Sequence, residues 1–87
     1  MTNIKVIKCK LVESENPYKI IGLSVENQNG TKQIYHESIL TTEQINGKTD
    51  AECIDIAFLQ MSGSISDSIN KIEQEEQSVI GSYYVPW

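Results

Sequence analysis

The side chains best suited to nucleophilic or metal chemistry in this 87-residue chain are its single histidine, His36, and its two cysteines, Cys9 and Cys53. One histidine excludes a multi-histidine metal centre. The catalytic option left is a Cys/His pair, in which the imidazole takes the thiol proton and leaves a thiolate nucleophile. Neither cysteine stands in a recognised nucleophile context. Cys53 follows the negative Glu52, although an early helix position favours a thiolate. The expectation is a hydrogen-bonded, partly buried His36 and two cysteines packed as small apolar groups. No catalytic residue, metal or cofactor is expected, and the chain is read as a non-enzyme.

The carboxylates are the next candidates. Residues 1–48 hold six lysines against five acids, whereas residues 49–87 hold only Lys71 against Asp50, Glu52, Asp55, Asp67, Glu73, Glu75 and Glu76. Their spacing lacks the alternating ligands and closing bidentate glutamate of a calcium loop, and no glycine-rich run could cradle a phosphate. Such a charge run is ordinarily a solvated helix face. The sharper reading is an acidic surface for a basic partner, with fast and salt-sensitive association. Arginine is absent, which removes the side chain that most often reads guanine and grips phosphate, so no direct nucleic-acid binding is expected.

Aromatic side chains point instead to protein contacts. Tyr83, Tyr84 and Trp87 are three of the six aromatics, crowded into the last five residues. Interfaces enrich tyrosine and tryptophan, and chain ends fray unless tied down. These three, with Tyr35, are the candidate partner-binding residues. Alternation along a final strand lets one of Tyr83 and Tyr84 face inward, while Pro86 ends ladder pairing and leaves Trp87 available.

These residues need elements to position them. Residues 4–12 read as a strand whose apolar parity switches between Ile4/Val6 and Ile7/Cys9/Leu11, which a bulge or two partly covered faces would reconcile. Residues 18–26 form a second strand with Ile21, Leu23 and Val25 on one face. Asn29-Gly30 then supplies the positive φ angles of a type I′ hairpin turn. That turn predicts Val25 opposite Ile34, Leu23 opposite His36 and Ile21 opposite Ser38. The other face carries Ile20, Ser24, Tyr35, Glu37 and Ile39, partly apolar and either covered by a partner or wet.

Residues 41–48 read as a polar connection. Thr49-Asp50-Ala51-Glu52 matches a capping box, and Ile54, Ala57, Phe58, Met61, Ile65, Ile69 and Ile72 continue at helical spacing. Gly63 either ends a first helix in the left-handed conformation or kinks one long helix. Glu73–Ser78 should fray, and Val79–Val85 has strand character. The expectation is a single α+β domain over 1–87 in the order β-β-β-α-α-β, with sheet strands in 4–40, helix in 49–78 and a C-terminal strand and aromatic tail in 79–87. The three-stranded antiparallel sheet packs on one kinked helix or two consecutive ones.

The N-terminal alternation of Lys with Ile and Val is not the apolar core of a signal peptide, and no run reaches the ~20 apolar residues that span a bilayer. Two cysteines are too few for a disulfide-rich secreted domain. Synthesis in a reducing cytoplasm is the expectation.

The Lys/Ile-rich opening, Gly47-Lys48-Thr49-Asp50-Ala51-Glu52 and Ile80-Gly81-Ser82-Tyr83 resemble small proteins encoded in phage and prophage structural modules of low-GC Gram-positive bacteria. The resemblance spans most of the chain and carries over no functional residue. It implies a non-enzymatic binding or assembly module, a virion or tail-associated component that self-associates or joins a larger assembly, with the virion as a further location. The alternative is a small acidic phage inhibitor of a host defence or nucleic-acid enzyme.

Overall fold

The computed structural model describes the backbone of residues 2–80 and the side chains of residues 2–74. Its sheet has three antiparallel strands in the order β1-β2-β3: β1 (Thr2–Val12), β2 (Tyr18–Asn27) and β3 (Gln33–Leu40). Val25 pairs with Ile34, Leu23 with His36 and Ile21 with Ser38, as the sequence predicts. The turn that sets this register differs from expectation. A type I′ turn needs positive φ at both central residues, but only Gly30 (φ 70°) has one. Gly30 N–H donates to the Asn27 carbonyl, and Asn27 and Lys32 close a wider loop through Asn27 N–H to Lys32 O at 3.1 Å. The asparagine side chain adds a brace, accepting from Lys32 N–H through Oδ1 and donating to Thr31 Oγ1.

The parity switch in β1 is resolved by a bulge, with the register shifting between Val6 and Lys8. Ile7 is the extra residue. Ile4 pairs with Val25, Val6 with Leu23, Cys9 with Ile21 and Leu11 with Lys19. Inserting one residue restores phase, so Ile4, Val6, Cys9 and Leu11 share the face that carries Ile21, Leu23 and Val25. Lys5, Lys8 and Lys10 fall on the opposite face.

Three helices follow. The polar connection contains a single turn, α1 (Thr42–Ile45), whose capping box joins Thr41 and Gln44. Gly47, at φ 72°, then turns the chain. The expected capping box starts α2 (Asp50–Gln60): the Thr49 hydroxyl accepts from Glu52 N–H, and the Glu52 carboxylate accepts from Thr49 N–H. That backbone bond holds the Glu52 carboxyl below its ordinary range. A break at Met61 separates α2 from α3 (Ser62–Ile80). Two consecutive helices are therefore present, divided at Met61 rather than at Gly63, which does not take a positive φ. Bonds from Met61 N–H to Ala57 O and from Ile65 N–H to Met61 O bracket the break, keeping the apolar stripe in phase.

α3 runs through Ile80, further than the polarity of Glu73–Ser78 suggests, because glutamate and glutamine are good helix formers. Helix therefore occupies the first two residues of the expected C-terminal strand; the rest lies outside the described residues. The helical layer packs on one face of the sheet over a core of Ile21, Leu23, Val25, Leu40, Cys53, Ala57, Met61, Ile65 and Ile72. Small Cys53 and Ala57 turn inward from α2, leaving Phe58 and Leu59 exposed.

Candidate functional site

β1 is an edge strand whose helix-side row is poorly covered. Ile4, Val6 and Leu11 are 41%, 46% and 47% exposed, whereas Val25 and Leu23, paired with the first two, are 0% and 1% exposed. Cys9 is exposed beside a fully buried Ile21. The helices centre on β2, so the same apolar row is core on one strand and surface on the next. Such an exposed apolar row marks a contact surface more often than scattered single residues do.

The open face of the sheet holds Tyr35, the expected partner residue within the described part of the chain. Its ring lies over Gly22, where an added Cβ would clash with the Tyr35 hydroxyl and ring. With the ring in this position only glycine fits beneath it, and a larger residue would push the half-exposed tyrosine tip aside. The hydroxyl donates to Glu37 Oε2 at 2.7 Å, and Lys8 Nζ stands 3.6 Å from that oxygen. The Tyr35 bond, then the Lys8 charge, draw the Glu37 carboxyl below its usual range, and the same bond raises the phenol. Tyr35 is thus half exposed but already fixed across the face.

The cysteines depart from expectation. Cys53 is buried, whereas Cys9, expected in the core, is exposed because its strand forms the sheet edge. The fold nevertheless brings the two thiols near Lys19 and Asp50. Lys19 donates to Asp50 Oδ1 at 2.7 Å and approaches Cys53 Sγ at 3.8 Å. Partial desolvation and then the Asp50 carboxylate push the Cys9 thiol up, away from a reactive thiolate. His36 is occupied elsewhere: its Nε2 lies 2.7 Å from Ser68 Oγ in α3, the hydrogen-bonded core-side position expected of it.

The Lys19–Asp50 pair gives a pH signature. The lysine hydrogen bond lowers the Asp50 carboxyl from its ordinary 3.8, and the same bond raises the Lys19 ammonium from 10.5. A depressed carboxyl adds stability that is lost as pH falls through its folded pKa; a raised ammonium adds stability that is lost as pH rises through its own. The stability difference between wild type and Asp50→Asn will therefore be greatest at neutral pH and shrink at both acidic and strongly alkaline pH, as measured by urea unfolding. Asp50 is exposed, so the difference will be small and weaken with salt.

Among the described residues no cluster of three or more His, Cys, Asp or Glu could hold a metal ion, and no helix is long and apolar enough to cross a membrane. Tyr83, Tyr84 and Trp87 lie outside the described residues. Comparison with known families, curated proteins and solved structures finds no match to this chain. The uncovered flank of β1 escaped the sequence reading, since strand parity reports a shared face and not whether a helix lies over it.

Proposed function

We propose that the chain is a non-enzymatic protein-binding or assembly module that docks through the apolar flank of β1. The observation that carries this is the contrast within one paired row, Val6 at 46% exposure beside Leu23 at 1%. A small domain that leaves such a row uncovered stands to gain stability from a partner that binds the folded form. The resemblance to phage and prophage structural modules supports a virion or tail-associated role, with the aromatic tail of Tyr83, Tyr84 and Trp87 as a second contact. The acidic-inhibitor reading has less behind it, because Asp50 is engaged by Lys19 and Glu52 by the Thr49 cap. No pairing of His36 with a cysteine supports an enzyme, since His36 bonds Ser68 and Cys53 meets Lys19.

The test is the solution mass of the intact chain, alone and co-expressed with the products of adjacent genes, beside Val6→Asp. The expected result is a mixed assembly in the co-expressed sample that Val6→Asp abolishes, while the circular dichroism and melting of the variant stay close to wild type. If Val6→Asp leaves assembly intact, or unfolds the chain as a core substitution would, the flank is not the docking surface.

A further inference from the structure

Resting on that reading, we infer that β1 is an edge that accepts an extended segment of another protein in which acidic side chains alternate with apolar ones. The outer side of β1 is paired with no described strand, so its backbone donors and acceptors can add a further strand. Side chains on the two faces of that edge select what can pair there.

On the helix side, Ile4, Val6 and Leu11 present apolar surface. On the open side, Lys5, Lys8 and Lys10 stand over Ser24, Gly22 and Ile20, and β1 has no acid. Lys8 reaches Glu37 across Gly22. Lys5 and Lys10 have no ion pair among the described residues, and their neighbours on β2 supply none.

This arrangement disfavours a second copy of the chain. Antiparallel pairing of β1 with β1 would place the three lysines of each copy on one face of the joined sheet, and like charges directly across a ladder are destabilising. Edge lysines and a bulge are devices that suppress self-pairing, and both occur here. They repel basic strands but attract acidic ones, so one feature both blocks self-assembly and selects a partner. The bulge at Ile7 leaves two regular stretches of five residues, 2–6 and 8–12, and the central five residues of an extended segment fill either. Its acidic side chains would meet the lysines, and its apolar side chains would extend the row of Ile4, Val6 and Leu11.

The test uses the full chain and two capped heptapeptides, Thr-Val-Glu-Val-Glu-Val-Thr and Thr-Val-Lys-Val-Lys-Val-Thr, followed by NMR shifts and amide exchange at low salt. The acidic peptide should slow exchange within Thr2–Val12 and bind about tenfold tighter than the basic one, with the preference shrinking as salt rises. The Lys5→Glu/Lys10→Glu chain should prefer the basic peptide. The inference is overturned if both peptides bind equally, if neither binds, if protection falls on β3 or the helices, or if β1 amides become protected by raising the chain's own concentration. If the peptides fail but Val6→Asp still abolishes assembly, the docking flank stands and only the acidic strand is lost. If Val6→Asp has no effect on assembly, the docking reading itself fails.

Discussion

Leu23→Ala will lower the free energy of unfolding by about 2–5 kcal/mol, whereas Val6→Ala, one strand away in the same row, will lower it by less than about 1 kcal/mol. Leu23 is 1% exposed at the centre of the core, and its truncation leaves a cavity that the surrounding strands and helices fill only in part. Val6 keeps nearly half of its surface in water, so removing its methyl groups forfeits little burial. A domain of this length has roughly 4–13 kcal/mol of stability in all, which makes the first loss severe and the second hard to see. Equilibrium urea unfolding of the two variants measures both. Equal losses would mean that Val6 is covered in the free chain, and the proposed docking flank would then be core.

The same pair of residues shows what the sequence could and could not convey. Alternation of Ile21, Leu23 and Val25, with Asn29-Gly30 after them, was enough to place Val25 opposite Ile34 and His36 opposite Leu23. A one-residue slip would have turned the whole apolar set to the other face. The register survived an error in turn type because the wider loop closed by Asn27 and Lys32 preserves the same pairing. The bulge, too, was legible as a break in parity. Coverage was not, since whether Ile4 and Val6 are core or surface depends on where the helices lie.

Helix starts were legible where an apolar stripe followed them. Thr49 and Glu52 introduce such a stripe and mark the start of α2 in the sequence, whereas Thr41 and Gln44 make the same reciprocal bonds around one turn with no stripe behind it. The candidate site was less accessible to sequence reasoning. Lys19 in β2 lies more than thirty residues from Asp50 and Cys53 in α2, and only the packing of that helix on the sheet brings them together. Tyr35 was placed on the correct face, but its stacking over Gly22 depends on the diagonal reach of a long side chain across the sheet.

Ala57→Leu will destabilise the chain by about 1–3 kcal/mol, although leucine is nearly as good a helix former as alanine. The reason is the way α2 meets the sheet. Both the Ile54/Phe58/Met61 row and the Cys53/Ala57/Met61 row have helical spacing, and the fold centres on the second: Cys53 and Ala57 are fully buried, Ile54 packs at the core's margin, and Phe58 and Leu59 remain exposed. Small side chains at the contact let a helix approach closely, and no room is then left for three extra carbons at position 57. Leu59→Ser, at a residue 70% exposed on the outer surface, will change stability by no more than about 0.5 kcal/mol. Thermal and urea unfolding of both variants give the comparison. A neutral or stabilising Ala57→Leu would mean that α2 stands further from the sheet, with its larger apolar side chains making the contact, and the inward placement of Cys53 beside Lys19 would fall with it.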